Sequence, residues 1–241
     1  MSRTFTTEET MLRVWDVEEI KKLMSRRVYY IANEWRAREL DELWVSDPEH
    51  QKTASFGRNT GFYVGMEEIR KYYVDHHLAE MGDGTGYLSS HPVSTGLVRE
   101  AEDGRTAKGM WYSIAQETRP NGDGTALALW MPEKIAVDFI REEDGWKIWH
   151  IVIANDLTNE AGGNYEKTPV YLDYATDPVA VEFGTPTIPM VTHDATFNWW
   201  DNYPPMPRPY ETFADEISYG PEGYHKPETF QLGAQEGRNY R

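Results

Sequence analysis

The feature that most constrains this chain is a run of strand-like segments over residues 89–156, organised by two tight-turn signals. Glu102-Asp103-Gly104 and Glu143-Asp144-Gly145 each separate runs rich in β-branched and aromatic residues, the pattern of hairpin turns. They predict two hairpins, 91–99 with 107–117 and 136–141 with 146–154. On the last of these strands a period of two puts Trp146, Ile148, His150 and Val152 on one face and Lys147, Trp149, Ile151 and Ile153 on the other. Both faces carry bulk, so both are expected to be covered. Helical patterning precedes the strands. This order predicts an α+β fold, in which a strongly curved antiparallel or mixed sheet wraps N-terminal helices into a cone with room for a small molecule.

Upstream, Ile20, Leu23, Met24, Val28, Ile31, Leu40 and Leu43 recur at helical spacing over residues 17–45, with Asp16 as the expected N-cap and Glu19 three residues on. A break over 34–38 gives a long helix and then a short one ending at Trp44, and Pro48 closes the block. Short strands are expected at 54–56 and 61–65, and a second amphipathic helix at 66–81. Beyond residue 159 the composition shifts, with ten of the 14 prolines alongside Trp199, Trp200 and many tyrosines. So many aromatics argue against free disorder. The expectation is a cone domain at 1–158 and an extended arm at 159–241, lying on its own body or on a neighbouring subunit and fraying past Gly233.

A formal charge of −16 argues strongly against a nucleic-acid partner, which needs a basic stripe to displace counterions. Without cysteine there are no disulfides, thiolate nucleophiles or Cys-based zinc sites. No apolar run approaches the roughly 18 residues of a membrane helix, and no signal peptide opens the chain, so a cytoplasmic location is expected. Asp75-His76-His77 suggests a metal site, but adjacent helical residues diverge by about 100°, so no metal is expected. Walker, dinucleotide and G-x-S-x-G patterns are absent, and no cofactor is expected.

His91 is the candidate for proton transfer. Its free pKa of about 6.5 lets imidazole give or take a proton near neutrality, and Pro92 suits a strand entrance. Lys134 is a candidate for polarising a hydroxyl or phenolate from a concave pocket. Tyr63 is expected to reach a substrate hydroxyl from the Gly-Phe-Tyr-Val-Gly element. Trp111 and Tyr112 point to opposite faces, so one lines the pocket. His150 belongs to the core or the pocket wall, and Asp156 is a cap or turn residue.

Five segments carry a resemblance to the SnoaL-like branch of the nuclear transport factor 2-like superfamily: EEIKKLMSRRVYYIANEWRARELDELW, GFYVGMEEIRKYY, SSHPVST, TAKGMWYS and VDFIREEDGWKIWHIVI. The resemblance implies a cystatin-like α+β barrel over about 140 residues and leaves the long tail unexplained. Cofactor-free dehydratases of this superfamily hold a catalytic histidine at the position of His91, paired with a Tyr and an Asp of the first helix. Those two positions fall near Val28 and Asn33 here. Asn33 cannot act as a base and is left a substrate-binding role, while Tyr30, on the same helix face, supplies the phenol. The implied activity is a cofactor-independent lyase acting on a hydrophobic aromatic substrate, eliminating water. Sphingomonad diarylpropane lyases resemble the chain in the same way, and they imply loss of formaldehyde from a lignin-derived phenolic dimer diol. The alternatives are a ketosteroid-isomerase- or polyketide-cyclase-like isomerase using Asp138 as base, and a non-catalytic ligand-binding module. The resemblance also implies a homodimer or homotrimer formed through the back of the sheet, where Trp149 and Ile151 would suit the contact.

Overall fold

The computed structural model describes residues 4–156, 158–162, 185–190 and 204–224. Helix α1 (Thr7–Ala32) begins well before residue 17, because Thr6 and Glu9 close a capping box. Glu9 N–H donates to Thr6 Oγ1 at 3.1 Å and Thr6 N–H to Glu9 Oε2 at 2.8 Å, satisfying two otherwise orphaned donors. Asp16 is therefore not the N-cap. It lies buried inside α1, accepting from Trp146 Nε1 at 3.0 Å and pairing with Arg141. The helix ends at Asn33, and Glu34, at φ 57°, turns the chain into α2 (Arg36–Leu43). Pro48 opens an element rather than closing one. It takes the first turn of α3 (Pro48–Thr53), where its missing N–H costs nothing and Asp47 caps Glu49 N–H at 2.8 Å.

Strands β1 (Ser55–Arg58) and β2 (Gly61–Val64) precede α4 (Met66–Arg70), which continues through a π-helical turn (Lys71–His76) into α5 (His77–Met81). Then come β3 (Leu88–Ser90), β4 (Val93–Glu100), β5 (Thr106–Pro120), β6 (Ala126–Glu142), β7 (Gly145–Asn155), β8 (Asn159–Glu160) and β9 (Ile188–Pro189). Among the described residues these nine form one mixed sheet in the order β3-β5-β6-β7-β1-β2-β9, with β4 also on β5 and β8 also on β6. Only β1 and β7 run parallel.

The β5–β6 hairpin is far longer than its sequence-predicted parts, and Pro132 lies inside β6. Proline is tolerated there because β7 ends beside it: Asp156 N–H donates to the Pro132 carbonyl at 2.9 Å, and the side that lacks a donor faces the end of the neighbouring strand.

Two bulges shape the sheet. At the first, Thr95 (φ 53°) and Gly96 stand opposite Trp111, so the indole lies over Gly96 and Gly109, where an added Cβ would come within 2.4 and 2.3 Å of it. The second is at Trp149, the extra residue between the pairs Asp138–His150 and Phe139–Ile148. It breaks the period of two, so the expected face of Trp146, Ile148, His150 and Val152 does not exist. Trp146 and Ile148 instead join Ile151 and Ile153 in the main core, with α1 residues Ile20, Leu23, Met24 and Ile31, while Val152 lies in a second cluster.

That second cluster covers the sheet's other face. Met110, Ala136, Val152 and Phe62 pack there against Tyr219, beside Ile188 and Met190. The covering segment 204–224, including α6 (Pro221–Tyr224), is bound through Asp138. The buried Asp138 carboxylate accepts from Tyr219 N–H at 2.6 Å, Ser218 Oγ at 3.0 Å and His150 Nδ1 at 3.0 Å, and pairs with Lys108. Burial disfavours its charge, but Lys108 and His150 outweigh that and hold its pKa below the usual range. The described part of the tail thus lies on the chain's own sheet. Trp199, Trp200 and the stretch past Gly233 lie outside the described residues.

Candidate active site

Alternation along the two long strands decides what enters the cone. With Trp111 inward, Glu117 and Arg119 also point inward from β5; with Ile135 and Val137 inward, Glu133 does so from β6. His91 sits between β3 and β4, beside β5, and reaches both carboxylates. Its Nδ1 lies 2.9 Å from Glu133 Oε1 and its Nε2 3.1 Å from Glu117 Oε1. A carboxylate only accepts, so both ring nitrogens carry hydrogen and the ring is an imidazolium. Burial opposes that charge, but the two carboxylates win, and the pKa of His91 is lifted to about 9. The same contact, with Arg119 beside it, outweighs burial at Glu117 and holds that carboxyl well below its usual range.

His91 and Glu117 line a cavity of about 70 Å³ together with Arg27, Ile31, Arg36, Phe56, Arg58, Thr60, Tyr63, Tyr72, Tyr73, His76, His77, Glu80, Tyr87, Arg119 and Ile153. Arg27, Ile31, Phe56, Tyr63, Tyr73 and His91 are buried and form the floor, while Arg58, Tyr72, Glu80, Tyr87 and Arg119 are partly exposed and form the mouth. A helical network sustains the floor. Glu39, fully buried, accepts from Arg27 Nε at 3.0 Å, Tyr73 OH at 2.6 Å and Trp44 Nε1 at 3.3 Å. Arg36 covers the Tyr73 ring at 4.8 Å and donates to Ser89 Oγ and Glu34. Glu34 lies 2.7 Å from His77 Nε2, and burial nevertheless keeps the His77 pKa below its ordinary value. Tyr63 stacks on Tyr72 with centroids 3.9 Å apart, and burial raises its phenol pKa.

The interior is thus narrow and highly charged, where the sequence predicts a cone with room for a small molecule. A second depression, about 930 Å³ between α1 and the hairpin turns, is larger. It contains neither histidine nor any of the sequence-predicted site residues. The smaller one gathers His91, His77 and Glu117, whose pKa values burial and mutual contact shift, and this makes it the candidate site.

Of the sequence-predicted residues, the structure brings His91 and Tyr63 to this cavity. The other six lie elsewhere. Tyr30 turns to the flank of α1, where its OH donates to Glu42 at 2.5 Å beside Arg26. Asn33 is exposed and caps α1, its side chain donating to the Tyr29 carbonyl. Trp111 faces inward but is spent on packing over the two glycines and edge-on to Phe139. Lys134, Tyr112 and His150 are on the outer face of the sheet: Lys134 pairs with Asp156 at 3.2 Å, Tyr112 is 47% exposed, and His150 belongs to the Asp138 cluster. Asp138 is on that face too, so it is not available as the base of an isomerase working in the cone. Ile151 is in the core and Trp149 packs on Phe213, so these two do not form an outward contact.

The residues that sequence reasoning missed are Glu133, Glu117, Arg27, Arg36, Glu39 and Tyr73. One signal was available for Arg27, which sits on the apolar stripe of Ile20, Leu23, Met24 and Ile31. Glu133 was hidden because Pro132 marks an apparent strand end.

Comparison with known proteins agrees with this architecture. The SnoaL-like domain family matches residues 12–152. The solved structure of LinA superposes with a TM-score of 0.50 at 14% identity, over 65% of this chain and 97% of that one. An NTF2-like protein with a cystatin-like fold from Novosphingobium aromaticivorans gives 0.44 at 22% identity, over 69% and 96%. Hexachlorocyclohexane dehydrochlorinase LinA-type3 from Novosphingobium barchaimii gives 0.48 at 13%, over 65% and 97%. At 14% identity the LinA match shows likeness of fold alone. No curated protein matches the chain. The family match spans more than half of the 241 residues and takes in most of α1, the cavity histidines His76, His77 and His91, and most of β7. The chain belongs to the SnoaL-like family.

Proposed function

We propose that this protein is a cofactor-independent lyase that eliminates water from a hydroxylated aromatic compound, with His91 carrying the proton. The observation that supports this is the imidazolium of His91 clamped between Glu133 and Glu117 in a buried, aromatic-walled cavity. At neutral pH such a ring is a proton donor. It would protonate the departing hydroxyl as the carbon–oxygen bond breaks with its electron pair on oxygen, releasing water. Once the ring is neutral, Glu117 loses the charge that keeps its basicity low. It can then accept the proton the substrate gives up as the double bond forms, and the pair regains its starting state by proton transfer between its members. Tyr63, with its phenol kept protonated by burial, would donate a hydrogen bond to a substrate oxygen.

Phe56, Tyr63, Tyr72, Tyr73 and Tyr87 line the cavity, and an aromatic substrate would lie against these rings. The narrower assignment is a two-ring phenolic diol of lignin origin. It would lose water to a quinone methide and then formaldehyde, the second step cleaving a carbon–carbon bond and restoring the phenol. A cavity of about 70 Å³ admits a carbinol group but not a ring, well below the roughly 300 Å³ of an ordinary ligand pocket, so this assignment requires the Tyr63–Tyr72 stack or the mouth to part. The same small volume is what favours a non-catalytic module as the second reading.

The test is turnover of phenolic diols, including a diarylpropane diol, followed by the ultraviolet absorbance of the new conjugated product and by a formaldehyde assay. Wild type is expected to turn over, and His91→Ala to lose about 10²–10⁴-fold in kcat. Unchanged turnover in His91→Ala would exclude the scheme, and ligand binding with no turnover in wild type would favour the module.

A further inference from the structure

His77 lines the cavity but is not part of the His91 proton scheme. It is the middle of a chain that starts at another cavity residue, Tyr87. The Tyr87 hydroxyl lies 3.3 Å from His77 Nδ1, the two rings meeting edge to face at 5.1 Å, and His77 Nε2 lies 2.7 Å from Glu34 Oε2. A carboxylate only accepts, so Nε2 carries the hydrogen. In the neutral ring Nδ1 is then an acceptor, and it takes the hydrogen of the Tyr87 hydroxyl. Burial favours that neutral ring, keeping the His77 pKa below its ordinary value. The backbone is bent to build this chain. Two hydrogen bonds close the end of α1, Glu34 N–H to the Ile31 carbonyl at 2.9 Å and Trp35 N–H to the Tyr30 carbonyl at 2.8 Å. They put Glu34, at φ 57°, in the left-handed position that glycine usually takes there. A glutamate bears a conformational cost at that point, and its carboxylate meets His77 and Arg36. His77 itself directly follows the π-helical turn Lys71–His76, an irregularity that recurs at functional sites.

We propose that Tyr87 is a second proton-transfer residue of the site, a base for a phenolic hydroxyl of the substrate, with His77 and Glu34 acting through it. This rests on the lyase reading and adds a ring hydroxyl to the substrate class. Tyr87 oxygen takes the phenol proton while its own proton passes to His77 Nδ1. The phenol O–H pair stays on the substrate oxygen, which becomes a phenolate. His77 becomes an imidazolium paired with Glu34, and Tyr87 ends as it began. The phenolate pushes electrons towards the carbinol carbon as His91 protonates the departing hydroxyl. Once Glu117 has taken the proton from carbon, the relay runs in reverse and restores the phenol. A phenol suits this base because tyrosine's own phenol titrates near 10, so the exchange between the two is close to balanced, whereas an aliphatic alcohol is a far weaker acid. Burial raises the Tyr87 pKa, so this side chain passes a proton on in step with receiving one and does not ionise alone.

The probe is 4-nitrophenol, whose phenolate absorbs visible light, bound to the intact protein and titrated across pH. The variants are Tyr87→Phe and His77→Gln, the second of which can still hydrogen-bond but cannot take up a proton. The bound probe is expected to ionise about one pH unit or more lower in wild type than in either variant, a tenfold difference in the equilibrium. The same value in wild type and in either variant overturns the proposal, even if affinity or stability changes, because a merely structural role moves those and not the probe's ionisation. Failure of the probe to bind wild type also overturns it. A second measurement needs only wild type and decides if a variant does not fold. The nitrogen NMR resonance of His77 Nδ1 should move from the unprotonated to the protonated range as the probe is added, and a resonance that stays in place overturns the relay. The lyase reading fails separately: no turnover of phenolic diols with the probe shift intact would remove that reading and leave the relay standing, and turnover without the shift would do the reverse.

Discussion

Replacing Glu133 with Gln tests the electrostatic core of the site without needing a substrate. In the folded protein the pKa of His91 is raised from 6.5 to about 9, and the charge of Glu133 is the largest contribution favouring the imidazolium. At about 1.36 kcal/mol per unit, that rise corresponds to roughly 3 kcal/mol of linkage. Glu117 is the other partner in the same interaction, so its lowered pKa is not an additional amount. The sign follows from the direction of the shift. The stabilisation is fully present below pH 6.5, where folded and unfolded chains both hold the proton, and it is lost as pH rises through about 9. In Glu133→Gln the burial penalty stays while the main attraction goes, so His91 should titrate at least about one unit lower. The decline in stability between pH 7 and 10 should shrink by about 1 kcal/mol or more. The ring Hε1 resonance, assigned by its loss in His91→Ala, gives the pKa by NMR, and urea unfolding across pH gives the stability. A wild-type His91 titrating near 6.5, or one unmoved from about 9 in Glu133→Gln, would refute the clamped imidazolium.

Asp138→Asn should cost about 3–5 kcal/mol, because Lys108 would keep a buried charge without its partner. The loss should appear in urea unfolding and as new protease cleavage within 204–224; an unchanged midpoint would show that Asp138 does not anchor that segment. Gly109→Ala should destabilise by about 1–3 kcal/mol or more, since the new Cβ would lie 2.3 Å from the Trp111 ring. Thermal unfolding reads this out, and the paired change with Trp111→Leu should recover part of the loss if the clash is the cause. In active enzyme, the high-pH limb of the rate profile should fall near pH 9 and move down in Glu133→Gln, with kcat measured across pH as the check.

The hairpins around Gly104 and Gly145, the curved sheet and the helices before it were legible because alternation and turn residues are local signals. The site was legible only at His91 and Tyr63. Three physical facts hid the rest. Thr6 caps α1 ten residues upstream of the apparent cap at Asp16, so that aspartate was free to be buried. Pro132 lies where a neighbouring strand stops, so the strand carrying Glu133 passes through it. The bulge at Trp149 inverts every side chain after it, which moves His150 from the expected pocket wall to the opposite face. Pairings such as His91 with Glu133, 42 positions apart, depend on strand register that no local pattern encodes.

The Asp138 clasp bears on how the protein should be handled. A recombinant fragment trimmed to the family match at 12–152 would lose both the Thr6 cap and the stretch carrying Ser218 and Tyr219. Its convex surface would then present Met110, Ala136 and Val152 to water around an unshielded Lys108–Asp138 pair. Such a fragment should self-associate, and insolubility in it would report a missing cover rather than a defective cone.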